Sequence, residues 1–567
     1  MIVPAGAAVR ITFSIGPMET GSLVKGAKPA KSLLESQSDV RLTVIMGCTF
    51  CGEHGSFLRQ TVYHPASMRS EPIQFSVTTN PPPENVLSYR GRLEFTIFNE
   101  ETGVEYDHLR TLVTVSSGLP TWISPKAQQS LVTQLVAVDA TQELPDVRIY
   151  VNKDIASKLS ISMDAYEPGL RTRLEGRIRN PDKTKKIFTP NFKDQNDVVR
   201  KISGYNGQLT QIGLPDSDYS KLLKPQAGGP GLSDEAIGNL VFSESDERFV
   251  RDIFSNFGNT LYRELFVSGD ASGELAAIIA AIEATSIPGR RVRLEISTDA
   301  ASMPWQLIYP LGDAPPDAFW GLKFDLAVKR TDVARVSSRP GPLGRTMVFA
   351  RYGVDDDHSV KWAEMQIKAL QDAKGVQLTV IKSKQEFTKT KVPQLRQSMS
   401  AFITYLHAEA GFLRQTADGQ AIDLATAAGP LLRFGEEGEF IASVDFDGLQ
   451  NSQSVDELVK HTPYFPKNPI VILNACETGG GVTQINKISL QEKFFDLGAR
   501  GIVVTETPVW DNLAYEVGTS LIDRLLRGEG MASALTETRI ELYKKKNLLG
   551  LLYAYYGEPT ARFESAP

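Results

Sequence analysis

Apolar and polar residues alternate along the first 115 residues with the period of two that a half-buried β-strand imposes. Five segments carry the pattern and are predicted strands: 9–15, 40–46, 73–77, 92–98 and 111–115. Turn residues at Asn99–Gly103 predict a tight connection between the last two. Short alternating strands separated by turns are typical of sandwiches, so residues 1–116 are expected to form an all-β, immunoglobulin-like domain.

The pattern weakens in the next hundred residues. Residues 147–151 and 171–178 alternate and are interpreted as strands. Proline and glycine are frequent at 225–231, which predicts a linker. We therefore expect a β-rich middle region with its linker at 117–235.

Residues 236–567 follow a different pattern, in which short apolar runs alternate with longer helical stretches. The predicted strands are 292–296, 346–350, 377–381, 401–406, 470–474 and 501–505. The predicted helices are 249–266, 275–284, 358–373, 390–399, 485–497 and 510–527. Such alternation indicates a parallel sheet covered on both faces. The chain is therefore predicted to be multidomain, with a C-terminal α/β domain whose sheet is mainly parallel.

The composition of the chain argues against several classes of function and location. The net charge of -6 gives no basic field, so nucleic acid is not indicated, and the basic run at 171–186 is interpreted as a solvated strand face. No apolar run reaches the ~18 residues that a membrane span requires. Residues 1–10 do not resemble a signal peptide, and three cysteines fit a reducing compartment. A cytoplasmic location is expected.

A cysteine and a histidine follow the ends of two predicted strands. Cys476 comes after the run 470–474 and just before three glycines, and His407 directly follows the run 401–406. The carboxyl ends of neighbouring parallel strands meet at one edge of a sheet. A thiol has a pKa near about 8.5 and needs a base, so this pair is typical of nucleophilic catalysis. The alternative for each residue is a structural role in the core.

Five segments in order resemble the CHAT family of caspase-like cysteine proteases (clan CD). They are Met303–Tyr309, Ile403–His407, Val471–Gly479, Gly498–Glu506, and Ala534–Arg539 followed by Tyr553–Pro559. The resemblance covers residues 245–567 and implies a caspase-like fold. It also implies a cysteine endopeptidase that needs no cofactor, with His407 as base and Cys476 as nucleophile.

The resemblance further implies an oxyanion hole formed by the backbone N–H groups of Cys476 and Ala408. The family usually has glycine where Ala408 stands, so the hole is intact, displaced or completed by Gly411. The departure also leaves open a catalytically inactive, caspase-like scaffold or adaptor. By resemblance, family members often act in bacterial signalling or antiviral defence. A specific protein substrate, encoded nearby, and an activating protein bound through the N-terminal β region are therefore expected.

Two weaker sites complete the prediction. Glu506 and Asp511 follow the strand next to the nucleophile strand and are candidates for a substrate pocket that favours a basic residue. The alternative is that Asp511 caps a helix and Glu506 is solvated. Cys48, Cys51, His54 and His64 form a C-x2-C-x2-H-x9-H pattern, a weak candidate for zinc, against two ordinary strand or turn cysteines.

Overall fold

Two compact units divide the chain, residues 1–144 with 152–158, and residues 145–151 with 159–567. A computed structural model describes residues 2–13, 40–48, 50–51, 57–64, 73–81, 88–99, 105–117, 145–153, 159–180, 186–191, 232, 234–269, 273–298, 303–312, 314–330, 342–352, 360–409, 413–415, 421–423, 431–434, 440–441, 445–446, 448–449, 452–453, 463–474, 490–507 and 509–564. Among these residues no helix is long and apolar enough to cross a membrane.

The described part of the first unit consists of strands. They are β1 Ile2–Pro4, β2 Ala8–Phe13, β3 Val40–Cys48, β4 Phe57–His64, β5 Ile73–Thr78, β6 Ser88–Asn99 and β7 Glu105–Ser116. One sheet has the order β1-β7-β6-β3-β4, and β2 pairs with β5. The rings of Phe13 and Phe75 contact Phe95 at centroid distances of 4.9 and 5.9 Å, which places the strand pair against the larger sheet. The five predicted strands are confirmed, and the immunoglobulin-like topology stays a prediction.

The second unit is organised around a ten-stranded sheet with the order β13-β12-β14-β20-β21-β22-β11-β10-β8-β9. The strands of this unit are β8 Val147–Lys153, β9 Leu159–Ala165, β10 Arg293–Thr298, β11 Asp325–Arg330, β12 Thr346–Arg351, β13 Gln377–Ile381, β14 Ala401–Tyr405, β15 His407–Glu409, β16 Leu413–Gln415, β17 Ala421–Asp423, β18 Leu431–Arg433, β19 Phe440–Ile441, β20 Ile470–Asn474, β21 Gly501–Thr505 and β22 Tyr553–Gly557. Every residue of β14, β20 and β21 is buried, which explains their continuous apolar runs.

The direction of the strands changes once between described neighbours of this sheet. Strands β13, β12, β14, β20 and β21 pair in parallel. β22 is antiparallel to β21, while β11, β10 and β8 pair in parallel beyond it. The sheet is therefore mainly parallel, as predicted, but it contains two parallel groups of opposite direction, β13-β12-β14-β20-β21 and β22-β11-β10-β8. The carboxyl ends of β14, β20 and β21 share an edge with the amino end of β22.

Helices cover the sheet. They are α1 Pro168–Ile178, α2 Asp234–Asn239, α3 Glu244–Tyr262, α4 Glu274–Glu283, α5 Trp320–Lys323, α6 Val360–Asp372, α7 Lys384–Thr388, α8 Lys391–Leu395, α9 Leu490–Asp496, α10 Asp511–Leu526 and α11 Met531–Lys544. A π-helical turn spans Arg263–Val267, and 3-10 turns span Trp305–Leu307, Pro316–Ala318 and Leu549–Leu552. The six predicted helices of the C-terminal domain correspond to α3, α4, α6, α8, α9 and α10. α8 is only five residues long, shorter than the predicted 390–399, and residues 485–489 of the predicted helix 485–497 lie outside the described residues.

The region between the two predicted domains differs from its sequence interpretation in two ways. β8 is a strand as predicted, but it pairs with β10 and extends the C-terminal sheet. The prediction of a strand at 171–178 is wrong, because this segment lies in α1. Glu167 caps that helix by accepting a hydrogen bond from Leu170 N at 2.6 Å, and Pro168 occupies its first turn. Leu170, Leu174 and Ile178 are buried at a helical spacing of four. The linker at 225–231 and residues 100–104 lie outside the described residues.

Candidate active site

Two neighbouring strands lead to the predicted catalytic pair. β14 and β20 run in parallel with five registered pairs, from Ala401 and Ile470 to Tyr405 and Asn474. His407 follows Tyr405 by two positions, and its backbone begins β15. Cys476 follows Asn474 by two positions and lies outside the described residues. The structure therefore brings the strands that precede His407 and Cys476 together at one edge of the sheet.

The backbone N–H of Ala408 is the second predicted donor of the oxyanion hole. Ala408 lies in β15 and faces Leu432 of β18 in an antiparallel pair. Its backbone is extended, a conformation that alanine adopts as freely as glycine. The replacement of glycine at 408 therefore imposes no backbone strain. Gly411, the alternative donor, lies outside the described residues.

Two buried side chains connect the ends of these strands to the first turn of α10. The Tyr405 hydroxyl donates a hydrogen bond to the carbonyl of Asp511. Asn474 Nδ2 donates to the carbonyl of Ala514 at 2.7 Å, and Asn474 Oδ1 accepts from the Tyr553 hydroxyl at 2.7 Å. The sequence analysis did not single out these residues. The available signal was a polar residue, Asn474, at the end of a fully apolar strand.

Glu506 follows β21 at the same edge and is only 6% exposed. Its Oε1 accepts a hydrogen bond from the Tyr556 hydroxyl at 3.2 Å, and its N–H donates to the carbonyl of Leu552. Burial raises the pKa of Glu506 to about 7, and interactions with Tyr556 and the Gln306 side chain offset part of that rise. Gln306 Nε2 itself makes no hydrogen bond of good geometry. Glu506 is therefore a buried acid that titrates near neutral pH rather than the solvated residue of the alternative interpretation.

Asp511 is half-buried and is the first residue of α10. The N-cap of this helix is Trp510, which makes no capping hydrogen bond through its side chain. A carboxylate in the first turn stabilises a helix through its dipole. Asp511 therefore lies in the first turn, one position beyond the cap, so the alternative in which it caps the helix is wrong, and its place in a substrate pocket stays a prediction.

The zinc candidate is not supported by the structure. Cys48 and Cys51 are joined by a disulfide, and a cystine has no thiolate to offer a metal ion. His54 lies outside the described residues, and of His64 only the backbone is described, at the end of β4. No group of three or more metal-ligating side chains occurs within the described ranges. The disulfide also corrects the expectation, from the low cysteine count, that the cysteines are reduced.

The comparison with family models agrees with the CHAT resemblance. The family model described as CHAT domain matches residues 273–559, about half of the 567-residue chain. No curated protein matches the chain. Among solved structures, the Saccharomyces cerevisiae separase–securin complex is similar with 12% identity and a TM-score of 0.33, over 72% of this chain and 30% of that chain. Gingipain R (RgpB), an Arg-specific cysteine proteinase of Porphyromonas gingivalis, has 10% identity and a TM-score of 0.33, over 56% and 77%. The chain thus spans under a third of the separase chain it matches.

Proposed function

The chain belongs to the CHAT domain family of caspase-like cysteine proteases, and we propose that it is a cysteine endopeptidase with Cys476 as nucleophile and His407 as base. The register of β14 and β20 carries the proposal. Tyr405 and Asn474 are the last registered pair, and His407 and Cys476 each follow two positions later. Two residues of chain span at most about 7 Å, and neighbouring strands lie about 5 Å apart. This register supports the placement of both residues at one edge of the sheet.

The chemistry follows from these two groups. His407 takes the proton of the Cys476 thiol, and the thiolate attacks the scissile carbonyl carbon. The N–H groups of Cys476 and Ala408 stabilise the oxyanion. The C–N bond then breaks as His407 gives its proton to the leaving amine, which leaves a thioester on Cys476. Water, deprotonated by His407, hydrolyses the thioester and restores the free thiol.

A preference for a basic residue on the N-terminal side of the cut fits the acids that follow β21. That strand pairs with β20, so Glu506 and Asp511 lie on segments leading from the edge at which Cys476 is expected. Glu506 is largely withdrawn from water, and an entering guanidinium or ammonium group would favour its charged form. We assign both residues to a substrate pocket on this basis.

The biological role we propose is cleavage of a specific protein in bacterial signalling or antiviral defence. An ungated protease would harm its own cell, so the isolated chain is expected to be latent. An activating protein bound through the N-terminal β region would release it. Turnover of general protein substrates by the isolated chain would contradict this regulation.

A co-expression experiment tests the activity. The full chain, as wild type and as Cys476→Ala, is produced together with each protein encoded beside it, and the products are analysed by mass spectrometry. A neighbour cut only in the presence of wild type would identify the substrate and the residue before the cut. Labelling of Cys476 by an electrophilic peptide separates a latent protease, which reacts, from an inactive scaffold, which does not. The extended backbone of Ala408 supports the protease over the scaffold.

A further inference from the structure

The side chains at the ends of β14 and β20 both form hydrogen bonds to the first turn of α10. Tyr405 and Asn474 are directly registered partners, and each precedes one member of the proposed dyad by two positions. Their side chains bond to the carbonyls of Asp511 and Ala514, which are three positions apart in the first turn of α10. Residues at this spacing lie on one face of a helix. One turn of α10 therefore binds the carboxyl ends of both strands.

Both hydrogen bonds are buried, and the Asn474 side chain has a second hydrogen-bond partner. Tyr405 and Asn474 are each 3% exposed, so a lost partner would leave a polar group unsatisfied away from water. Burial raises the pKa of Tyr405 far above its usual range, so its hydroxyl keeps the proton it donates. The Asn474 amide is held at both ends, by Ala514 and by Tyr553. The carbonyl of Tyr553 in turn accepts a hydrogen bond from the buried Arg539 at 2.7 Å.

The close approach of α10 depends on a glycine. A Cβ on Gly518 would lie 2.8 Å from Asn474 Nδ2 and 2.5 Å from Gln366 Nε2, both too short for an ordinary contact. Glycine in a helix interior costs about 1 kcal/mol relative to alanine. α10 has a glycine despite this cost at the position where it contacts Asn474.

From this geometry we infer that Tyr405 and Asn474 are positioning residues, which set the separation of His407 and Cys476 by tying both strand ends to the first turn of α10. The inference rests on the proposed Cys–His chemistry. The reaction needs control of this separation, because a thiolate is stabilised by an imidazolium only at short distance. A shift of about 1 Å between reacting groups can lower a rate by about a hundredfold.

The test is the pKa of the Cys476 thiol in the full chain, from the pH dependence of its alkylation by iodoacetamide. Cys476 is the remaining thiol, because the other two of the three cysteines form the Cys48–Cys51 disulfide. Tyr405→Phe and Asn474→Ala are expected to raise the thiol pKa toward about 8.5 and to slow alkylation at pH 7 roughly tenfold. Tyr405→Phe removes a single oxygen, so it remains informative if Asn474→Ala does not fold.

The opposite end of β20 supplies matched controls. Asn468 is 3% exposed and its Nδ2 donates to the carbonyl of Gly498, while Tyr464 is 1% exposed. Asn468→Ala and Tyr464→Phe are expected to keep the wild-type alkylation profile, even where they lower the thermal stability. A profile unchanged by Tyr405→Phe and Asn474→Ala, but shifted by His407→Ala, would overturn the inference and leave the proposed function standing. A wild-type thiol pKa near about 8.5 that His407→Ala does not move would remove both.

Discussion

The two halves of the ten-stranded sheet both bury polar side chains, but they compensate them differently. In the half that contains β8, β9 and β10, buried charges meet opposite charges. Arg148 Nε lies 2.6 Å from Glu295 Oε1, and both side chains are almost fully buried. Asp164 accepts hydrogen bonds from Tyr150 at 3.0 Å and from Arg179 at 2.9 Å. Arg148 and Asp164 therefore each have an opposite charge beside them.

The half that contains β14, β20 and β21 pairs the buried Arg351 of β12 with Glu364 at 2.9 Å, but at the ends of β14 and β20 it uses neutral hydrogen bonds, through Tyr405 and Asn474. Its buried acid, Glu506, makes no ion pair with any residue that the structure describes, and the interactions that lower its pKa come from the neutral Tyr556 and Gln306. Uncompensated acids are costly and concentrate at functional sites. The difference fits the proposed substrate pocket at the edge of the second half.

The largest expected effect comes from breaking the compensated pair. Glu295→Gln leaves the Arg148 cation buried without its partner, so the free energy of unfolding should fall by about 3–5 kcal/mol. The double variant Arg148→Met with Glu295→Leu should recover most of the loss. Urea unfolding followed by tryptophan fluorescence reports mainly on this unit, because it contains four of the five tryptophans, Trp305, Trp320, Trp362 and Trp510.

The exposed pair of Lys546 and Glu244 provides the control for that experiment, since Glu244→Gln should leave the unfolding midpoint nearly unchanged. Cys476 alkylation should also be unchanged in Glu295→Gln wherever the chain is folded. An equal loss in the single and double variants would show that charge compensation is not what this half provides.

A pH-dependent gain in stability should follow from removing the uncompensated acid. The pKa of Glu506 is about 7 in the folded chain against an ordinary value of 4.5, so folding retains a proton that the unfolded chain releases. Stability contributed by this group is complete below pH 4.5, falls as the pH rises to 7 and stays low above it. Glu506→Gln should therefore raise the free energy of unfolding by about 3 kcal/mol at pH 8 and change it little at pH 4.5. A gain of the same size at both pH values would rule out titration of Glu506 as the cause.

The same carboxyl should make substrate preference depend on pH. Glu506 becomes charged as the pH rises through about 7, so the preference for basic over neutral residues before the cut should increase over that range. The expected increase is roughly tenfold, the size of one charge-assisted contact. The ratio of kcat/KM for a matched pair of peptides, once activation is achieved, measures it. Glu506→Gln should flatten the profile, and an unchanged rise in that variant would exclude Glu506 from the pocket.

Elements that depend on a local pattern of residues could be predicted from the sequence. β20 could be predicted because it is buried on both faces, which requires an unbroken apolar run ending where the chain leaves the sheet. The parallel strands that precede His407 and Cys476 could likewise be predicted from their apolar runs. α1 was missed because its alternation of basic and apolar residues concealed the four-residue spacing of Leu170, Leu174 and Ile178.

The non-local parts could not be predicted. β8 pairs with β10 across more than 140 positions, and no local pattern specifies such a partner. The antiparallel β22 places Tyr553 beside Thr505 and so brings it to the edge where it bonds Asn474. The environment of Glu506 likewise depends on Tyr556 and on Gln306, two hundred positions away. Side-chain networks of this kind depend on the assembled fold.

The smallest expected effect tests how tightly α10 must approach the edge. Gly518→Ala should gain about 1 kcal/mol of helix propensity but lose about 1–3 kcal/mol to the contacts with Asn474 and Gln366. Alkylation of Cys476 should slow severalfold at pH 7 because Asn474 is displaced, although the net change in stability is small. Gly176→Ala in α1, where a Cβ meets nothing within 4 Å, is the matched control and should gain stability without changing alkylation. If Gly518→Ala behaves like Gly176→Ala, the contact between α10 and Asn474 does not control the geometry of the edge.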